Sequence, residues 1–420
     1  MTLARSQMQR LHTLPEALSL VQEELHRLQM KLELTPVANE DLYHIYAGVL
    51  QDNENGVKAR SSGKGLADQA VASASFEALE HYHMLTKNHE ENFSSDYQLM
   101  PLKFVAEQAE LSCDQVVQRM SRVISDAEIG CALYKSINGQ DQVWYPLAIG
   151  DIGYRQSPLR GDNFDYEPFL RYCSTSGVAS GTALCEAKIH SILELIERDA
   201  VSLALLGWFV NQVLPFRRVE PESLPKDLQQ LLESISKKVG SKIVIADVSS
   251  DLGIPTYLAF PEKCIWSANI AGSGASLNPA YAIERALGEV LQEFSLLNHY
   301  KATASKIRQH SRVARWKVFK HCLELDWEWL QRHLQVQYCS MPNSFSNIGL
   351  QNLQATLVQN LDAKQLSVFW RHLTPNEARI NVVHTIIPGI EGFFLVRTGH
   401  PVLPTGRGHR LWNQNKIGGN

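Results

Sequence analysis

The chain has 420 residues, 44% of them hydrophobic and 20% charged, with 40 basic against 44 acidic side chains and a formal net charge of -4. That length can bury one large domain or two to three ordinary ones, and so balanced a charge argues against bulk binding to nucleic acid or to an anionic membrane. Cys113, Cys131, Cys173, Cys185, Cys264, Cys322 and Cys339 form no CxxC pair, which argues against a zinc ribbon and fits free thiols in a reducing cytoplasm. The N-terminus does not read as a signal peptide, and the most apolar stretch, residues 201–214, is too short to span a bilayer and holds Asn211 and Gln212. The expectation is a soluble, cytoplasmic protein.

Along the chain, Thr13-Leu14-Pro15-Glu16 reads as a helix start, with Leu18, Val21, Leu25 and Leu28 following at helical spacing. Residues 41–50 read as extended, and residues 61–65 as a loop before a helix over 67–85. Residues 135–152 predict strands joined at Asn138-Gly139. A loop over 157–182 precedes a long helix from 184 to about 208. Strands are predicted at 242–248 and 256–260, a small-residue loop at 272–276, and a helix from 279 to about 299. Residues 301–373 read as mostly helical, strands return at 380–387 and 392–396, and the tail over 399–420 is irregular. A loop-then-helix unit thus recurs three times without a fixed period, and the mixture predicts an α+β fold with largely antiparallel sheets.

The three helices concentrate charge: Glu77 and Glu80; then Glu186, Glu194, Glu197, Arg198 and Asp199; then Glu284, Arg285, Glu289, Gln292 and Glu293. Glu186, Glu194 and Glu197 fall on one face of the second helix, and Arg285, Glu289 and Gln292 on one face of the third. Around Glu194 and Glu197 the helix is apolar nearly all round, which is the pattern of a buried helix. Buried, converging carboxylates need either protonation or a divalent cation. Mg²⁺ takes oxygen ligands and shares them with phosphates, so these acids with Lys64, Arg198 and Arg285 could hold Mg²⁺ and a polyphosphate together. The competing readings are ordinary ones: Glu pairs on a solvated face, and an Arg285–Glu289 ion pair worth a few tenths of a kcal/mol.

Ser61-Ser62-Gly63-Lys64-Gly65 lacks the spacing of a Walker loop, and Gly272-Ser273-Gly274-Ala275 lacks a third glycine. His81 and His83, two apart on a helix, point to different sides and make a poor metal pair; His190 reads as a hydrogen-bonded core histidine. No Ser/His/Asp or Cys/His set stands out by spacing.

The stretches SSGKGLADQAVASASFEALEHYHM, SGVASGTALCEAKIHSILELIERDA and GSGASLNPAYAIERALGEVLQEFS, in that order, resemble the YcaO family, as do the opening RLHTLPEAL and the later IIPGIEGF. The resemblance implies a YcaO-like fold with helices around an ATP site. It implies that Lys64, Glu77, Arg198, Arg285 and Gln292 bind ATP, and that Glu80, Glu186, Glu194, Glu197 and Glu289 hold Mg²⁺. The implied organisation is an N-terminal segment over 1–55 integrated with the core, an ATP-binding core over 56–300, and a C-terminal part over 301–420 with a helical insertion.

The implied reaction is ATP-dependent O-phosphorylation of a peptide backbone amide during maturation of a ribosomally made peptide. A nucleophile adds to the carbonyl, the oxyanion is phosphorylated, and phosphate leaves. Azoline formation by cyclodehydration is the expected outcome, with thioamide or amidine formation as the alternative. A further alternative is a non-catalytic ATP-binding accessory factor for a protein modification such as ribosomal protein methylthiolation. The chain departs from the family pattern at His81, where an Arg is usual and where Lys58 or Arg60 could substitute, at Thr182, where Asn or Gln is usual, and in a tail that carries Pro401 and Pro404 but no Pro-x-Pro-x-Pro. Expected partners are the precursor peptide and a separate recognition protein of the ubiquitin-activating-enzyme-like or TfuA-like kind. No nucleic acid and no membrane is expected, and a homodimer is left open.

Overall fold

The computed structural model describes residues 9–40, 43–52, 56, 58–85, 96–265, 269–301, 312–342 and 348–412. The chain starts with helix α1 (Leu14–Arg27), where the Glu16 carboxylate accepts hydrogen bonds from the Thr13 amide and hydroxyl. Strands β1 (Lys31–Glu40), β2 (Tyr43–Gln51) and β3 (Lys58–Gly65) form an antiparallel sheet that leads into α2 (Ala67–Leu85). Strands β4 (Tyr97–Pro101), β5 (Glu128–Ser136), β6 (Gln142–Pro146) and β7 (Val178–Gly181) then lead to α3 (Leu184–Leu205). Next come β8 (Phe216–Val219), α4 (Lys226–Val239), β9 (Ile243–Asp247), β10 (Thr256–Pro261) and β11 (Gly272–Ala275), followed by α5 (Pro279–His299). Strand β12 (Val336–Cys339), α6 (Leu350–Asp362), β13 (Phe369–His372) and β14 (Asn381–Ile386) complete the framework.

Two larger sheets result, one in the order β11-β10-β9-β8-β12 and one in the order β4-β5-β13-β14-β7 with β6 beside β5. Every pairing is antiparallel except β8 with β12, so the α+β reading with antiparallel sheets holds. Helix α3 lies at the centre. Its apolar residues Ile189, Ile192 and Ile196 are buried and pack with Leu353, Leu357 and Leu361 of α6. Helix α5 starts where Asn278 accepts from the amides of Ala280 and Tyr281 and Pro279 takes the first helical position.

The three strand–helix units β3–α2, β7–α3 and β11–α5 share one packing device. Glycines let each strand backbone lie directly on its helix. A Cβ on Gly63 would sit 2.0 Å from the Ala70 carbonyl oxygen, and one on Gly274 would sit 2.2 Å from that of Ala282. The residues read from sequence as loops at 61–65 and 272–276 are therefore strands, apart from Ser276. Their small side chains serve close packing, not a turn.

Other expectations need correction. Residues 393–398 form a 3₁₀ turn instead of a strand, because the Glu391 carboxylate accepts from the amides of Gly392 and Phe393 and curls the backbone. Residues 301–373 also carry strands β12 and β13. Strand β1 was not anticipated at all; only its Leu32 and Leu34 alternate with polar residues, and the register shifts between Pro36 and Ala38. The predicted extended residues 41 and 42 and the Gly-rich end of the tail lie outside the described residues.

Replacing Gly274 by Val should overpack the β11–α5 contact and cost about 1–3 kcal/mol, lowering the urea midpoint. Gly349→Ser, at the exposed N-cap of α6 with nothing near its Cβ, should stay within about 0.5 kcal/mol of the parent. Equal midpoints for the two variants would contradict this packing account.

Candidate active site

A cavity of about 460 Å³ opens between the three units, within the range of about 300–1,000 Å³ common for small-molecule sites. All ten residues singled out in the sequence line it: Lys64, Glu77, Glu80, Glu186, Glu194, Glu197, Arg198, Arg285, Glu289 and Gln292. Asp199 and Glu293, on the same helices, do not. Asp199 accepts from the Glu391 amide, and Glu293 accepts from the Ala271 amide. Glu284 is buried away from the cavity.

The acids are held by the strands. Glu77 accepts from the Ser62 amide at 3.3 Å, Glu186 from the Thr182 amide at 3.1 Å and hydroxyl at 2.6 Å, and Glu289 from the Ser273 amide at 2.6 Å. Three bridges cross between units. Glu80 of α2 accepts from the Ser180 amide (2.8 Å) and hydroxyl (2.6 Å) on β7. Glu197 of α3 accepts from the Ser273 hydroxyl (2.6 Å) and Ala275 amide (3.2 Å) on β11. Gln292 of α5 donates to the Ser62 hydroxyl (2.8 Å) on β3. Each helix thus grips the strand of the next unit, and the ring closes.

Basic groups face these acids. Arg198 lies 3.5 Å from Glu194 and 3.7 Å from Glu197, and Arg285 lies 3.8 Å from Glu197. Burial raises Glu80 to about 7, with Glu77 adding to the rise and Ser180 opposing it. Burial likewise raises Glu194 to about 7 against the pull of Arg198. For Glu289 burial also pushes upward, but Lys64, Arg198, the Ser273 amide and Arg285 outweigh it and hold the carboxyl below its ordinary range. Lys64 is pushed down by burial, against Glu289.

The donor set fits a metal–polyphosphate pair. The Nε atoms of Arg198 and Arg285 are buried and make no hydrogen bond among the described residues. Among those residues no three His, Cys, Asp or Glu side chains form a ready-made metal cage. Mg²⁺ does not need one, since it commonly takes one or two carboxylates and completes its shell with water and phosphate oxygens.

Sequence reasoning missed the N-terminal wall. Gln9, Arg10 and His12 line the cavity; Arg10 pairs with Glu186 at 2.8 Å, His12 meets the Thr182 hydroxyl at 2.9 Å, and Gln9 donates to Ser276. Nothing in the spacing of these residues ties them to helices more than 170 positions away. His190, read as a hydrogen-bonded core histidine, lines the cavity with its Nε2 unpaired, and burial holds its pKa well below the ordinary value. His81 also lines it, anchored to the Arg60 carbonyl, whereas Lys58 and Arg60 are exposed and do not.

Because Glu80 and Glu194 hold protons more tightly folded than unfolded, their contribution to stability is full below pH 4.5 and falls as pH rises from there to about 7. The nucleotide-free protein should therefore lose melting temperature across that window. The double variant Glu80→Gln, Glu194→Gln should show a shallower fall; identical slopes would count against these two carboxyls.

Known proteins share this fold. The structure of YcaO from Methanopyrus kandleri bound with AMPPCP and Mg²⁺ superposes with a TM-score of 0.63 at 18% identity, covering 94% of this chain and 96% of that one. A heterocyclase in complex with substrate and cofactor gives 0.66 at 21% identity over 92% of this chain, which spans only 54% of that longer one. The Escherichia coli microcin synthetase McbBCD complex with pro-MccB17 bound gives 0.60 at 14% identity, over 86% of this chain and 88% of that one. At these identities the likenesses establish the fold. An uncharacterized protein of Methanothermobacter thermautotrophicus is 24% identical over 83% of this chain and 86% of its own length. An uncharacterized protein in the tfuA 3' region of Rhizobium leguminosarum bv. trifolii is 32% identical over 28% of this chain and 30% of its own. Residues 62–391 match the family described as YcaO cyclodehydratase, ATP- and Mg²⁺-binding, and the chain belongs to that family.

Proposed function

We propose that this chain activates a backbone amide of a ribosomally made peptide, with azoline formation by cyclodehydration as the favoured outcome. The observation that carries the reading is the convergence of ten charged and polar residues from three separate units on one cavity, with two buried arginine Nε atoms left unbonded. An amide oxygen is a poor leaving group; bound Mg²⁺·ATP supplies the phosphoryl group that makes it a good one. The chain's part is positioning and charge balance. Lys64, Arg198 and Arg285 meet phosphate oxygens, Gln292 and Glu77 complete the nucleotide contacts, and Glu80, Glu186, Glu194, Glu197 and Glu289 are the carboxylates available to the metal. Arg10 shares Glu186 and so sets how readily that acid turns to a metal.

Partner use is part of the proposal. The matched microcin synthetase is a complex, and one relative is named for its place beside tfuA. A separate recognition protein of the ubiquitin-activating-enzyme-like or TfuA-like kind therefore delivers the peptide. A cytoplasmic location fits the free cysteines and the lack of any described helix long and apolar enough to cross a membrane. Thioamide formation is the second reading, since the same activated amide can take sulfur in place of an internal nucleophile.

Incubation with Mg²⁺, ATP, a cognate precursor peptide and the partner should release phosphate only when peptide is present. Loss of one water from the peptide identifies cyclodehydration, and exchange of oxygen for sulfur identifies thioamidation. Glu197→Ala and Glu289→Ala should each lower turnover by about 100-fold or more while the circular dichroism spectrum stays unchanged. Wild-type turnover in either variant, or nucleotide binding with no peptide-dependent turnover, would overturn the reading.

A further inference from the structure

A second cavity, of about 120 Å³, lies beside the first, far larger than the about 10–15 Å³ that one water needs. Arg198 lines both cavities, and no other described residue is common to them. One wall of the second cavity is the turn over residues 387–392, and this wall is built to stay put. Glu391 is buried and accepts five backbone amides: Gly392, Phe393 and Thr405 on one oxygen, Gly406 and Gly408 on the other, at 2.8–3.1 Å. Asp199, the residue after Arg198, accepts the Glu391 amide and ties the same wall to the active-site helix.

Two polar atoms in the lining have no hydrogen-bond partner among the described residues. Thr385 is 1% exposed, and its hydroxyl makes no hydrogen bond among the described residues. The Arg198 Nε is in the same state, while its guanidinium lies 5.0 Å over the Phe394 ring. A buried hydroxyl is ordinarily satisfied, so Thr385 points to a ligand in this cavity, whereas the Arg198 Nε is already accounted for by the nucleotide side. The remaining lining mixes apolar Val116, Ile149, Leu195 and Phe394 with polar groups, among them Tyr145, Ser174, Ser176 and the carboxylate of Asp114. A second phosphate would face that carboxylate. An extended peptide segment, with backbone carbonyls to accept and small side chains to bury, matches the lining instead.

We infer that this second cavity takes the segment of the peptide substrate next to the reacting amide, with a backbone carbonyl accepting from the Thr385 hydroxyl, while the reacting amide itself passes Arg198 to meet the nucleotide in the first cavity. The inference rests on the amide-activation reading and adds the peptide subsite to it. Thr385 selects an extended backbone, and Val116 and Ile149 limit the size of the side chain beside the reacting amide.

The test uses the full chain and the capped tripeptide N-acetyl-Gly-photoleucine-Cys-amide, irradiated with and without Mg²⁺ and AMPPCP, with crosslinks mapped by mass spectrometry. Crosslinks should fall on residues 174–176 or 384–395 and persist at saturating AMPPCP. Thr385→Val, which removes the hydroxyl at constant shape, should reduce them about fivefold, the worth of one buried hydrogen bond. Val116→Phe, which fills the cavity, should reduce them further. AMPPCP affinity measured by calorimetry should stay unchanged in Thr385→Val, which also shows that the variant folds. Crosslinks elsewhere, crosslinks displaced by AMPPCP, yields unchanged in Thr385→Val, or no crosslink at all would overturn the subsite. If AMPPCP binds the parent protein and the crosslinks miss, only the subsite falls; if AMPPCP does not bind, the amide-activation reading falls with it.

Discussion

Three hydrogen-bonded bridges, Glu80 to Ser180, Glu197 to Ser273 and Gln292 to Ser62, close a ring in which each helix holds the strand of its neighbour. The site depends on this ring. The two carboxylate bridges contribute about 1.5–3 kcal/mol each and the neutral Gln292–Ser62 bond about 0.5–1.5 kcal/mol, and a buried partner left alone costs about 1–3 kcal/mol. The bridges therefore do more than stabilise. They fix the register of units that lie more than 75 positions apart in the chain, and they spend the same carboxylates that face the cavity.

That double use explains the electrostatics. Acids packed this closely repel, and burial disfavours their ionised forms. The fold answers in two ways at once. Glu80 and Glu194 rise to about 7, while Glu289, facing Lys64, Arg198 and Arg285, stays below its ordinary range. A divalent cation arriving with a polyphosphate would relieve the first pair, and phosphate oxygens would satisfy the arginine Nε atoms. The cavity is thus organised for a ligand carrying both signs of charge.

Much of this was legible in the sequence because it is local. Carboxylates at helical spacing inside apolar runs, as in Ile192-Leu193-Glu194-Leu195-Ile196-Glu197, announce buried acids without any tertiary knowledge. The three small-residue runs announced the units, although they were read as loops. Close strand–helix approach and a loop make the same demand on composition, and only the Gly63 and Gly274 contacts distinguish them. What stayed hidden was long-range. Arg10 joins Glu186 across 176 positions, and Glu391 gathers amides from a tail that reads as irregular. No periodicity encodes such pairs. The place of His190 on the cavity wall was missed for the same reason, since helical spacing says which residues share a face but not whether that face looks onto core or cavity.

The central claim is that groups from all three units meet one nucleotide. It is tested most directly by calorimetric titration of Mg²⁺·AMPPCP into the parent protein and into Lys64→Met, Arg198→Met and Arg285→Met, one variant from each unit. The account predicts that every variant loses affinity by about tenfold or more, as expected for a lost charge-assisted phosphate contact. Parent-like affinity in any one of the three would contradict it, because that unit would then stand outside the site.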